Sequence, residues 1–296
     1  MKKPLVVITG PTASGKTALS IETAQKIGGE IVNADSMQIY KYMDIGTAKP
    51  TIEERSGIPH YLIDEIEPTD NFSVAQYCEK AREYIDLIHK KGKIPILVGG
   101  TGLYIDSVVY NIKYGDGGAD ENYRNMLNDL ADKNGNEYIY EMLKKIDLEC
   151  AMKLHIADRR RIIRALEVFH TTGETITEQK RKSRLVPTTY ETKIFATNMD
   201  REVLYQRINK RVDIMLEMGL VQEVENLLKM GISENTTAMQ GIGYKEILAY
   251  LKGNMPLDEA VEMIKQGSRR YAKRQLTWFR RNNDIKWINP LESIEK

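Results

Sequence analysis

The N-terminal third of the chain alternates short apolar runs with amphipathic stretches, the pattern of a sheet whose strands are buried on both faces. Pro4-Leu5-Val6-Val7-Ile8-Thr9 is apolar and β-branched and predicts a buried strand. From Thr17 the period becomes helical, with Ala18, Ile21 and Ala24 on one face and Gly28-Gly29 as the stop. Residues 30–34 predict a second strand and residues 94–98 another. Between them Ser73 opens a helix. Ser73 and Gln76 form a capping box, Tyr77, Ala81, Tyr84, Ile85 and Ile88 make the apolar stripe, and Gly92 ends it. Gly115-Asp116-Gly117-Gly118 reads as a hinge. Beyond it the sequence is helical and polar to about Thr189, and a strand pattern returns at residues 193–197. The expected architecture is α/β. A parallel sheet core of residues 1–113 and 190–296 is interrupted by a helical insertion, residues 114–189.

The first strand runs into Gly10-Pro11-Thr12-Ala13-Ser14-Gly15-Lys16-Thr17, which fits G-x-x-x-x-G-K-[ST]. Strand, glycine loop and helix in that order make the motif a phosphate cradle and the core P-loop NTPase-like. The glycines let backbone N–H groups turn inward, and the helix N-terminus adds partial positive charge. Lys16 would reach the terminal phosphates, and the Thr17 hydroxyl would bind Mg2+. An ordinary Gly-rich turn is the alternative, and the flanks argue against it.

Composition narrows the class. Over 296 residues, 42% are hydrophobic and 29% charged, the profile of a soluble globular protein. The apolar runs are only a few residues long, too short to span a membrane. The chain enters its first strand at once, so no signal peptide is expected. Cys78 and Cys150 lie far apart with neither zinc spacing nor a disulfide framework, which points to a reducing cytoplasm.

The net charge of +1 is neutral on nucleic acid, but its distribution is not. Residues 153–184 hold nine Lys/Arg against four Asp/Glu, and residues 265–286 hold eight against one. The last helix, about residues 259–281, carries Arg269, Lys273 and Arg280 along one stripe and Arg270, Arg274 and Arg281 along the next. Ala272, Leu276 and Phe279 lie opposite. A solvated helix face normally interleaves acids for i, i+4 support, whereas a phosphodiester backbone calls for a basic face such as this. In the insertion, Ile162, Leu166 and Phe169 make a buried line, with Arg160 and Arg164 one turn apart on another face.

Several single residues are candidates for chemistry. Asp35-Ser36-Met37-Gln38 ends the second strand, and ligands of open α/β sheets bind beyond the carboxyl ends of strands. Asp35 could therefore hold a hydroxyl or amine and act as a general base, or serve only as a cap or turn residue. Lys49, in the loop of residues 42–50, is a phosphate ligand or, as the loop favours, a solvated charge. Asp64 follows too short an apolar run, Tyr61-Leu62-Ile63, for the magnesium aspartate of a nucleotide hydrolase. Gly99-Gly100-Thr101-Gly102-Leu103-Tyr104 is a second Gly-rich loop whose Thr hydroxyl could meet the same phosphates, or simply a tight strand-to-helix turn. Arg207 and Arg211 stand at i, i+4 in the helical stretch 201–216, where one of them could point back at the phosphates. Residues 240–245 read as a flexible loop with an aromatic.

Taken together, GPTASGKT, DSMQ, GTAKP, GGTGLY, RRRIIRALEV and KRQLTWFR resemble the tRNA dimethylallyltransferases of bacterial type, in order and spacing, from Val7 to Trp278. The resemblance implies transfer of a dimethylallyl group from dimethylallyl diphosphate to the N6 amine of an adenosine. That adenosine adjoins the anticodon on its 3′ side in tRNAs reading U-starting codons, and diphosphate is released. It implies that the loop holds a diphosphate, although the signature is shared with ATP-binding, nucleotide-binding proteins. By family position Gly10, Pro11, Thr12, Ala13, Ser14, Gly15, Lys16 and Thr17 bind it with Mg2+, Thr101 and Arg211 grip it too, and Asp35 takes the amine's proton. The implied tRNA contacts are Asp35, Ser36, Met37, Gln38 and Thr101; Arg159, Arg160, Arg161, Ile162 and Ile163; Gln240, Gly241, Ile242, Gly243, Tyr244 and Lys245; and Lys273, Arg274, Gln275, Thr277, Trp278 and Arg280. The target base would leave its stack, and loop bases would be read by stacking and edge contacts. His155-Ile156-Ala157-Asp158 departs from the Pro-containing sequence common before the Arg-rich helix. No Cys/His pairs follow Trp287, so the zinc finger of eukaryotic relatives is not expected. With no strong self-association pattern, a monomer is expected.

Other classes make different forecasts. A small-molecule kinase would place ATP in the cradle and leave the basic last helix without a purpose. An adenylate isopentenyltransferase would alkylate free nucleotide. A non-catalytic nucleotide-dependent RNA-binding module would tolerate Asp35→Ala.

Overall fold

The structure is a computed structural model and describes residues 2–112, 118 and 120–290, the side chain of Arg184 apart. Two compact units divide the chain, Met1–Val109 with Thr189–Lys296, and Tyr110–Thr188. Of the expected hinge, Gly115, Asp116 and Gly117 lie outside the described residues.

The first unit is built on β1 (Lys3–Thr9), β2 (Gly29–Asn33), β3 (His60–Tyr61), β4 (Ile94–Gly99), β5 (Tyr190–Thr197) and β6 (Ile285–Ile288). They form one sheet in the order β3-β2-β4-β1-β5-β6, with every neighbouring pair parallel. Parallel neighbours need crossovers, which α1 (Lys16–Ile27) and α2 (Val74–Lys90) supply, and α3 (Gly102–Val109) follows β4. Every residue of β2 is buried, which is why it reads as a continuous run. Leu19, Ile21 and Ala24 of α1 pack on Ile8, Ile31 and Ile96 of the sheet. Ala18, expected on that face, is exposed, because the buried stripe is centred on Leu19 instead. The Ser73 capping box forms with both of its hydrogen bonds.

The second unit contains α4 (Glu121–Asn134), α5 (Asn136–Ile146), α6 (Leu148–Ala151), α7 (Arg159–Thr172) and α8 (Ile176–Leu185). Ile162 and Leu166 of α7 are completely buried against Leu127, Ile139 and Leu143. Phe169, expected on the same line, is 37% exposed, and Val168 and Ala165 take the inner positions. The buried Glu167 carboxylate accepts from the Asp120 amide, Arg124 and Arg164, so the unit is pinned by one fully satisfied charge as well as by apolar packing.

The chain then adds α9 (Arg201–Glu217), α10 (Leu220–Lys229), α11 (Tyr244–Leu251) and α12 (Leu257–Phe279) to the first unit. The Asp200 carboxylate caps α9 by accepting from the Glu202 and Val203 amides. Two strand features were not legible in the apolar pattern. β5 begins at Tyr190 because Glu191 and Lys193 turn outward on a half-buried face, and β6 is a four-residue edge strand with Lys286 exposed.

Candidate active site

Three of the loops expected to carry chemistry leave the carboxyl ends of strands. β1 ends in the glycine loop, β2 in Asp35–Gln38 and β4 in residues 99–104, so central parallel strands deliver all three to the same edge. The glycine loop is held tightly. Gly10 has φ +139°, and a Cβ there would lie 2.1 Å from Thr197 Oγ1 at the end of β5. Ser14 Oγ donates to the Pro11 carbonyl at 2.7 Å and shares a 2.6 Å bond with Thr197 Oγ1. Gly15 precedes α1 in a left-handed conformation with no side-chain cap, leaving the helix's first amides for an anion.

Ala13 also has a left-handed φ, +62°. Its carbonyl accepts from Arg207 Nε at 2.9 Å, and its methyl packs on Leu204, Ile208 and Ala272. Arg207 therefore grips the loop's backbone. Lys16 Nζ donates to the Pro11 carbonyl at 2.6 Å. Burial above all, and then the neighbouring Arg211 cation, push the Lys16 ammonium down to about 7, against the opposing pull of Asp35. The residue is only partly hidden, and it is the enclosed ammonium that feels the desolvation.

Asp35 takes the turn role and also faces open space. Its Oδ1 accepts from the Met37 amide at 2.9 Å and the Gln38 amide at 3.4 Å, an Asx-type turn, while the residue lines a cavity of about 310 Å3. Thr12, Arg211, Tyr271 and Arg274 line the same cavity, with Gly241 and Ile242 on another wall. Thr101 stands behind Ser36. Its Oγ1 accepts from the Ser36 amide at 3.1 Å, and the Thr101 amide donates to the Ala34 carbonyl. The close approach explains Gly99, where a Cβ would lie 2.1 Å from the Ala34 carbonyl oxygen.

The structure corrects several expectations. Lys49 is neither a phosphate ligand nor a solvated charge. It is 8% exposed, and its ammonium donates to Asp44, Asp64 and the Tyr40 carbonyl. Asp64, in turn, is occupied by Lys49 and Arg55. Residues 240–245 are only partly loop, since Tyr244 and Lys245 open α11 and Tyr244 is completely buried. Ile162 and Ile163 are 0% and 5% exposed in the core of the helical unit, so their side chains are packing residues, not RNA contacts. Tyr244 likewise spends its ring on Gly46 and its hydroxyl on Glu223. Gln275 is 5% exposed and faces inward.

Of the remaining residues of the expected interface, Gly243 is buried and the others are accessible. In the helical unit Arg160 and Arg161 are exposed, while Arg159 is tied to Asn136 and Asp132. Lys273, Arg274, Thr277, Trp278 and Arg280 are exposed along α12, as are Gln240 and Lys245. Asp35, Ser36, Met37 and Gln38 are half-buried. Gln38 Nε2 donates to the carbonyls of Thr47 and Ala48.

Tyr271 and Glu223 belong to none of the sequence motifs, and Gln275 was expected only as an RNA contact. Tyr271 lines the cavity one turn before Gln275 and interacts with Thr101 and Gln275, its hydroxyl pushed up to about 12 by burial and then by Asp35. Gln275 bridges two loops, and Glu223 accepts from the amides of Asp44, Ile45 and Gly46. The one available cue was the i, i+4 spacing of Tyr271 and Gln275 within an otherwise basic helix.

Among the described residues no cluster of three His, Cys, Asp or Glu could cage a metal. Mg2+ does not need one, because it keeps several waters and takes phosphate oxygens readily. Thr17, exposed on the first turn of α1 directly after Lys16, can supply one hydroxyl ligand.

A parallel sheet with a glycine loop after β1 and further ligand loops after β2 and β4 defines an α/β protein of the P-loop class. The chain belongs to the IPP transferase family, whose profile matches residues 38–282. It is 55% identical over 285 residues to a tRNA dimethylallyltransferase of Acetivibrio thermocellus, covering 96% of this chain and 91% of that one. A tRNA dimethylallyltransferase of Thermoanaerobacter is 53% identical over 286 residues, with the same coverages of 96% and 91%. The crystal structure of the tRNA isopentenylpyrophosphate transferase from Bacillus halodurans is similar at 44% identity and TM-score 0.73, over 98% of this chain and 90% of that one. A eukaryotic dimethylallyltransferase acting on tRNA superposes with TM-score 0.83 at 32% identity, over 97% of this chain and 74% of that one. Among the described residues no helix is long and apolar enough to cross a membrane.

Proposed function

We propose that this protein transfers the dimethylallyl group of dimethylallyl diphosphate to the N6 amine of the adenosine 3′-adjacent to the anticodon of tRNAs reading U-starting codons. One observation carries this reading: Asp35, a carboxylate, and Arg211 and Thr12, a cation and a phosphate-loop residue, open on the same cavity. A base and a diphosphate grip facing one space suit a displacement in which one substrate loses a proton and the other a diphosphate.

On this reading the Asp35 carboxylate accepts the proton of the adenine amine, and the nitrogen forms a bond to the allylic carbon as that carbon's bond to the diphosphate oxygen breaks. Negative charge grows on the leaving oxygens, where Lys16, the amides of residues 13–17, Thr101 and Arg211 stabilise it. Mg2+, ligated by Thr17 and the diphosphate, would neutralise further charge. The exposed arginines of α7 and the exposed basic residues of α12 would position the RNA backbone. The enzyme would work as a monomer in the cytoplasm, where unmodified tRNA is found.

The experiment is incubation with Mg2+, labelled dimethylallyl diphosphate and unmodified tRNA, then digestion to nucleosides. Prenylated adenosine that depends on the donor, with ATP unable to replace it, is the expected result. Label on free AMP alone, or ATP consumption without transfer, refutes the proposal.

A further inference from the structure

α12 has two faces with different work. Lys273, Arg274, Thr277 and Arg280 are exposed on one, whereas Gln275 between them is 5% exposed. Both ends of its amide are spent on the phosphate side of the molecule. Oε1 accepts from the Thr12 amide at 2.8 Å, and Nε2 donates to the Gly100 carbonyl at 3.0 Å. Thr12 belongs to the glycine loop after β1 and Gly100 to the loop after β4, so one side chain from near the C-terminus joins them. A carboxamide suits this place because it both donates and accepts without charge. The fit is close, since a Cβ on Gly100 would lie 2.2 Å from Nε2.

Two neighbouring contacts make α12 a stiff partner for these loops. Ala272 packs on Ala13, and Trp278 Nε1 donates to Asp106 Oδ2 at 2.9 Å while its ring closes over Gly102. A displacement of α12 therefore drags Thr12 and Gly100 or breaks buried hydrogen bonds, which is costly.

We propose that Gln275 is a positioning residue that couples RNA bound on the outer face of α12 to diphosphate bound in the glycine loop. Each ligand favours one placement of the element it touches, and Gln275 makes the two placements a single equilibrium. Such coupling is reciprocal, so diphosphate must change RNA affinity by the same factor as RNA changes diphosphate affinity. The inference rests on the reading of the protein as a tRNA prenyltransferase.

The test is calorimetric titration of inorganic diphosphate with Mg2+ into the whole protein, alone and saturated with an unmodified anticodon stem-loop RNA. The wild type is compared with Gln275→Met, which keeps the side chain's length, and with Gly100→Ala, which displaces Nε2 without altering α12. In the wild type the two dissociation constants should differ by about fivefold or more. In both variants the ratio should fall to about one. A merely structural role would weaken binding of each ligand and leave the ratio as in the wild type, and that result overturns the proposal. A wild-type ratio of one, with both ligands bound, overturns the coupling while leaving the prenyltransferase reading intact. Failure of the wild type to bind the stem-loop at all refutes that reading, and the coupling with it.

Discussion

The guanidinium of Arg207 donates to the carbonyl of Ala13 at 2.9 Å, so α9 holds the phosphate loop by its backbone one helical turn before Arg211 enters the cavity. The two arginines should separate on mutation. Arg211→Ala removes a charge-assisted contact of about 1.5–3 kcal/mol, which corresponds to a roughly 10- to 100-fold weaker affinity for diphosphate. Arg207→Ala should instead lower stability by about 1 kcal/mol, because Ala13 loses the partner that steadies its left-handed backbone. Diphosphate titration and urea unfolding of both variants check the division.

Asp35→Asn keeps an oxygen for the Met37 and Gln38 amides but loses the base. Single-turnover prenyl transfer should fall by about 10²- to 10⁴-fold with RNA affinity little changed. Transfer at the wild-type rate would remove Asp35 from the reaction.

Lys16 sets a pH signature. Its ammonium is held down to about 7 by burial and by Arg211, and a bound diphosphate favours the charged form. Binding above pH 7 must then draw a proton from solvent, approaching one proton per site. Titrations in two buffers of different ionisation enthalpy at pH 8 measure that uptake, and none should remain in Lys16→Met.

Glu223 holds the loop of residues 44–46 by accepting from three successive amides, at 2.9, 2.7 and 3.0 Å, and from the Tyr244 hydroxyl at 2.7 Å. Glu223→Ala leaves all four donors without this acceptor and should cost about 2–3 kcal/mol of stability. Glu223→Gln should cost less, since an amide oxygen still accepts. Denaturant midpoints of the two variants give the order.

Glu30 governs part of the acid response. Burial pushes its carboxyl up, but hydrogen bonds from Lys93, Tyr61 and Lys91 outweigh that and bring it down to about 2, from an ordinary 4.5. The stability this contributes is fully present above about pH 4.5 and is lost as pH falls towards about 2. Glu30→Gln should flatten the stability profile between those values and change little at neutral pH relative to its own acid limb.

Much of the first unit was legible because its information is local. β1, the glycine loop, α1 and the Ser73 helix are specified by runs, caps and glycines that act within a few residues of one another. The family resemblance likewise sat in contiguous motifs. Lys49 shows the limit. Nothing within the loop of residues 42–50 tells that Asp64, across a turn, will draw its ammonium out of water. Phe169, Ile163 and Tyr244 mark the same boundary, since a helix's period names its faces but not which neighbour covers each.

What the sequence determined by itself is β1, the glycine loop and α1 in that order, the Ser73 helix and the presence of a basic terminal helix, all set by short-range sterics and spacing. What only the tertiary structure decided is which side chains meet. Arg207 takes the Ala13 carbonyl while Arg211 takes the cavity, and Gln275 reaches Thr12 across 263 positions of chain. Such pairings depend on how α9 and α12 settle on the sheet. The residues that meet there share no local pattern, because packing of the whole unit, not neighbouring sequence, sets their distance.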